Sequence, residues 1–214
     1  AVFSSMVNLC RSTRTASLKS RLADSRVLKA KTPSRLRQAS MAIDAIYPSL
    51  KDKTVLITGG GSGIGEALTR AFIAQSAKVG FLDYDKAASE TLAAELDSPD
   101  LHFEYCDLRD IDALQAAVKA VFDKLGPIRI LVNNAARDDR HSLESVTSDY
   151  FDERIATNLK HQLFAAQAVA GPMAAAGVGS IINMGSTSWM IGQGGMPCYT
   201  CLLYTSDAAD EKYR

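Results

Sequence analysis

Nowhere does this chain of 214 residues offer the roughly 18 consecutive apolar side chains that a membrane-spanning helix requires, so no membrane partner is expected. Cysteine is scarce. Cys10, Cys106, Cys198 and Cys201 form neither a zinc-ligand set nor the dense framework that staples small secreted domains, which fits a reducing, cytoplasmic compartment. An excess of charge of either sign is also lacking, with 24 Lys/Arg against 24 Asp/Glu. That balance hides an asymmetry: residues 1–40 hold nine Lys/Arg and one acid, while residues 41–200 hold thirteen Lys/Arg and twenty acids, a difference of −7. An acidic body does not suit nucleic acid, whose phosphates are neutralised by clustered Lys/Arg. A small-molecule substrate is the expected partner. At 47% hydrophobic and 22% charged residues, the chain is long enough for one good core and short for two.

Both ends stand apart from that core. Residues 1–40 are rich in Arg, Ser and Thr, with no sustained apolar run and no initiating Met. They read either as an organellar presequence or as translated upstream sequence before Met41. At the other end, residues 201–214 break the preceding pattern, and CLLYTSDAADE at 201–211 is a string that the transposase adapter of sequencing libraries encodes in one frame. The expected domain is 41–200, with its natural continuation after Thr200 replaced.

Within 41–200, short apolar β-rich runs alternate with segments of helical period, the pattern of a doubly wound parallel sheet. Strands are expected at 54–58, 78–82, 102–106, 128–132 and 180–184, and helices at 64–75, 86–96, 110–124 and 148–176. The first helix should turn Ile64, Leu68, Phe72 and Ile73 inward, and the third Leu114, Val118, Val121 and Phe122. The fold class is thus α/β, a Rossmann-like parallel sheet truncated after its fifth strand.

Chemistry enters at Gly59, Gly60, Gly61, Ser62, Gly63, Ile64 and Gly65, between an apolar strand and an amphipathic helix. Glycines there let the backbone turn tightly and approach a pyrophosphate, whose charge the helix N-terminus favours. Glu66 follows, where a Walker loop would have Lys, so a dinucleotide is expected. Asp83, at the end of the second strand and eighteen residues past Gly65, suits the ribose hydroxyls and repels a 2′-phosphate, favouring NAD over NADP. Asp107, past the third strand, either caps the next turn or contacts the adenine. The fourth strand runs into Asn133, Asn134, Ala135 and Ala136.

Together with Asn158, Ser186 and Tyr199, these motifs resemble the short-chain dehydrogenase/reductase family over about 160 residues, in order and in spacing. The family's fourth-strand motif is more often NNAG, so Ala136 is a mild departure. The resemblance implies hydride transfer at an alcohol or carbonyl carbon, and a homo-oligomer at full length. It makes Tyr199 the acid/base, Ser186 the donor to substrate oxygen, and Asn158 the residue that orders a relay water. A free tyrosine titrates near pH 10, so working at neutrality requires a depression of about 3 units. A cation at about 4 Å supplies roughly that, about 4 kcal/mol. In the family a lysine four residues after the tyrosine provides it, but here that position is Leu203, so the chain as written is expected to bind cofactor without useful turnover.

The segments YPSLK, NNAARDDRH, FDERIATNLKHQLFAAQAV and SIINMGSTSW resemble the aldose 1-dehydrogenase branch, which oxidises sugars to lactones. On that resemblance His141, Trp189 and Gln193 are expected at the substrate, though RDDRH reads equally as a charged exposed loop. No second His stands at ligand spacing from His141, so no metal site is expected. Other substrates of the family (ketoacyl, polyol or steroid) and a nucleotide-binding protein without turnover stay open as alternatives.

Overall fold

Every residue of TVLIT is buried, as in a strand with helices on both faces, and Thr54–Thr58 forms the central strand β1. A computed structural model describes residues 45–207, apart from 189 and 192 and the side chains of 204–207. Around β1 lie β2 (Lys78–Asp83), β3 (Leu101–Tyr105), β4 (Ile128–Asn133) and β5 (Ser180–Asn183). All pairings are parallel, in the order β3-β2-β1-β4-β5. The helices are α1 (Gly63–Ala74), α2 (Lys86–Leu96), α3 (Ile111–Leu125), α4 (Ser148–Ile155), α5 (His161–Ala175) and α6 (Pro197–Asp207). The Rossmann-like sheet expected from sequence is the one found.

Side chains alternate across the sheet with the period of two that a strand imposes. Leu56, Leu82 and Leu131 pack with Leu114, Val118 and Val121 of α3 and Ala165 and Val169 of α5. Val55, Ile57, Val79 and Phe81 face the other way, toward Leu68 and Phe72 of α1 and Leu92 of α2. Asp85, Asp110 and Thr147 cap α2, α3 and α4 by accepting from Ala88, Ala113 and Tyr150 backbone N–H groups. Sequence order reverses on either side of β1, so a crevice opens beyond the C-terminal ends of β1 and β4.

Three expectations need correction. Ile64 is 67% exposed because it stands at the first turn of α1, at the crevice mouth and not over the core. Phe122, at 40%, faces a groove between α3 and α5 lined also by Ile128, Ala168 and Pro172. The single helix expected over 148–176 is broken into α4 and α5 by one π-helical turn, Ala156–Lys160. Helix α6, for which no expectation was made, runs past Thr200. Pro197 suits a helix start, and Cys198, Leu202 and Leu203 share one buried face, an apolar spacing hidden among the polar residues around it.

Just after the π turn, the His161 ring is fully buried and neither nitrogen has a hydrogen-bond partner of good geometry. Burial pushes its pKa from 6.5 down to about 4, opposed weakly by the Thr157 backbone. The unfolded chain therefore binds this proton more readily, so stability is full above about pH 6.5 and is lost as pH falls toward 4. The expected loss is about 2 kcal/mol between about pH 6.5 and pH 5. Urea unfolding at both pH values should show this slope in the parent chain and a flatter one in His161→Gln. Equal slopes would contradict it.

Candidate cofactor and active site

The turn from β1 into α1 works by close approach. A Cβ at Gly65 would lie 1.7 Å from the Gly59 carbonyl oxygen, and one at Gly61 would lie 2.3 Å from Ser89 Oγ and 3.0 Å from Asp83 Oδ2. Gly59 (φ 67°) and Gly63 (φ 56°) occupy the left-handed region that glycine tolerates best. Ser62 stands at the N-cap of α1 but makes no side-chain capping bond, which leaves first-turn amides of α1 facing the crevice mouth. A narrow cradle of backbone ending on free helix amides fits a pyrophosphate.

Asp83 closes one side of this cradle. It is buried, its Oδ2 accepts from Gly61 N–H at 2.9 Å, and its Oδ1 accepts from Asp85 N–H at 2.9 Å. Each carboxylate oxygen keeps a lone pair for ligand hydroxyls. Opposite, Asn134 Nδ2 donates to the carbonyls of Thr58 (3.1 Å) and Gly59 (3.0 Å), and Thr58 Oγ1 accepts from the amides of Asn134 and Ala135. The NNAA segment thereby ties the ends of β1 and β4 together.

The resulting cleft, of about 450 Å³, is lined by Gly59, Ser62, Ile64, Gly65, Asp83, Asp107, Asn134, Ala135, Ala136 and Tyr199. Those residues were all expected at the site. Asp107 turns the chain by accepting from Arg109 N–H, and it also lines the cleft. The Arg109 guanidinium beside it, at 2.6 Å, holds its carboxyl below the usual carboxylate range. Burial pushes the Cys106 thiol, also on the cleft, up to about 11, helped by Asp107, so it offers no thiolate there.

Asn158 lies inside the π turn, fully buried. Its Oδ1 accepts from Arg137 N–H at 2.7 Å, its Nδ2 donates to Arg137 O at 3.1 Å, and its carbonyl accepts from Gln162 Nε2 at 2.8 Å. The side chain thus fixes the backbone just past NNAA. Ser186 Oγ donates to Ser188 Oγ at 2.9 Å and follows Met184 and Gly185, which line the cleft. Gln193 is exposed and bonds by its backbone to Ser188, while Trp189 lies outside the described residues. His141 does not line the cleft, and its ring is engaged by protein partners on both nitrogens.

Sequence inspection missed the ionic wall of this cleft. Glu153 pairs with Arg109 at 2.8 Å and with the fully buried Arg154 at 2.9 Å, and Arg154 reaches Asp139 at 3.0 Å. One signal was available: Tyr150, Arg154 and Asn158 recur every four residues, so an arginine shares its helix face with the expected Asn158. No group of three or more potential metal-ligating side chains occurs among the described residues.

The family profile described as "short chain dehydrogenase" matches residues 53–201. The chain belongs to the short-chain dehydrogenase family. It is 51% identical over 150 residues to D-xylose 1-dehydrogenase of Caulobacter vibrioides, a match covering 69% of this chain and 59% of that protein. It is 45% identical over 158 residues to the probable galactose dehydrogenase GalD of Rhizobium meliloti, covering 72% and 61% respectively. The chain thus spans about three fifths of these relatives' length. Among solved structures, the crystal structure of gox2181 shares the fold at TM-score 0.70 and 24% identity, covering 75% of this chain and 64% of that one. A short-chain dehydrogenase segment accounts for the glycine cradle, Asp83 and the cleft together.

The cradle predicts a contrast between two glycines. Gly65→Ala, with its 1.7 Å clash, should weaken dinucleotide binding by about tenfold or more. Gly171→Ala, in α5 with nothing within 4 Å, should leave binding alone and raise stability by about 0.5–1 kcal/mol. Titration calorimetry and thermal unfolding of the two variants test this; equal effects on binding would contradict it.

Proposed function

We propose that the protein carrying this segment is an NAD-dependent dehydrogenase that oxidises the anomeric hydroxyl of an aldose to an aldonolactone. The observation that carries this is one cleft lined both by Asp83, locked onto the glycine turn, and by Tyr199. The α1 amides would hold the pyrophosphate, Asp83 the adenosine ribose hydroxyls, and Asp107 the adenine edge. Asp83 leaves no room for the charge of a 2′-phosphate, which supports NAD over NADP. A bound nicotinamide supplies the acceptor for the hydride leaving C1.

The remaining chemistry falls to this chain's own residues. Tyr199, acting as its phenolate in the full-length enzyme, takes the proton of the sugar hydroxyl as the C1–H bond breaks, so a carbonyl, here a lactone, remains. Ser186 donates to the sugar oxygen and keeps it at Tyr199. Asn158 holds the turn of backbone on which a relay water would sit. Gln193 would border the sugar, and the names of the two relatives support an aldose. We further propose that the full-length protein is a cytoplasmic homo-oligomer, as the family resemblance implies.

For the polypeptide as it stands, the position four residues after Tyr199 holds Leu203, buried and apolar. It is expected to bind cofactor and not to turn over. The test is a clone of the natural gene read past Thr200, assayed with NAD and NADP on xylose, arabinose, galactose, polyols and ketoacyl substrates. NAD-linked aldose oxidation is the expected result. Activity confined to ketoacyl, polyol or steroid substrates, or normal sugar turnover by residues 41–214 alone, would contradict it.

A further inference from the structure

We propose that His141 is a positioning residue that holds the helix bearing Tyr199 from outside the cleft. Helix α6 opens with Pro197, which has no N–H, so the amide of Cys198 is its first donor and has no partner within the helix. That N–H points at His141 Nε2, 3.3 Å away. An imidazole nitrogen accepts only when its proton sits on the other nitrogen, and Nδ1 lies 2.7 Å from the Asp139 carbonyl oxygen, to which it donates. The backbone repeats the tie: His141 N–H donates to Gly195 O at 2.8 Å.

The brace is footed on α4. Tyr150 meets the His141 ring edge-on at 5.0 Å with its hydroxyl 3.1 Å from Nδ1, and the Arg154 guanidinium lies over the Tyr150 ring at 5.1 Å. The same guanidinium bonds Asp139, the residue that sets the His141 tautomer. A continuous set of contacts thus runs from α4 through His141 to the residue preceding Tyr199. It acts on catalysis through placement alone, and rests on Tyr199 being the acid/base.

Three measurements test this. In the full chain, ¹⁵N shifts should show His141 protonated on Nδ1; the Nε2-protonated tautomer would overturn the proposal. Amide exchange at Cys198 and Tyr199 should rise about tenfold or more in His141→Ala, and return toward the parent rate in His141→Gln, whose Oε1 can replace the acceptor. Unchanged exchange in the alanine variant, or no recovery with glutamine, would overturn it. In the natural full-length enzyme, His141→Ala should lower kcat with little change in the KM for cofactor, and His141→Gln should restore it; loss confined to KM would overturn it. Retained activity in Tyr199→Phe would sink the acid/base reading instead, and the tautomer and exchange results judge the brace without it.

Discussion

A carboxylate as deeply buried as Asp83 is tolerated only where hydrogen-bond donors surround it. Here the donors are backbone amides, one from the glycine turn and one from the start of α2. The end of β2, the turn after β1 and the entry to α2 are therefore held to one another through a single side chain. Gly61 approaches that carboxylate so closely because it has no Cβ, and the turn can then present the N-terminus of α1 to the crevice. Cradle and buried acid form one unit, since neither keeps its geometry when the other moves.

The second half of the site depends on a different device. Asn158 spends both of its side-chain groups on Arg137, and it does so from a π turn that interrupts an otherwise regular helix. Such turns shift the helix by one residue and recur at functional sites. Arg154, one turn earlier, is buried against Glu153, Asp139 and Tyr150. Removing one carboxylate would leave much of a buried charge unpaired, so the wall is rigid for the same reason that it is costly to disturb. Loops that would be loose on composition, RDDRH among them, are thereby fixed from α4.

Much of this was legible in the residues, for reasons that follow from local chemistry. Strands buried on both faces must be largely apolar, as TVLIT is between its two threonines, and a cradle for a pyrophosphate must be glycine-rich at one spacing. Asp83 was legible by its distance from Gly65. The parts that escaped depend on neighbours distant in sequence. Ile64 obeys the helical period and is still exposed, because a crevice opens where the core would have been. Nothing local marks the π turn. His141 reads as a substrate ligand from its place after β4, whereas its partners, Asp139, Tyr150 and Cys198, are set by how α4 and α6 meet that loop. Helix α6 continues past Thr200 because Leu202 and Leu203 extend its buried face.

We propose that Asp83, held by the glycine turn, makes this cleft a site for NAD. Titration calorimetry of the chain with NAD and with NADP at equal ionic strength tests it directly. NAD should bind at least about tenfold more tightly, the equivalent of one charge-assisted hydrogen bond or about 1.4 kcal/mol. Equal affinities, or tighter binding of NADP, would contradict the account.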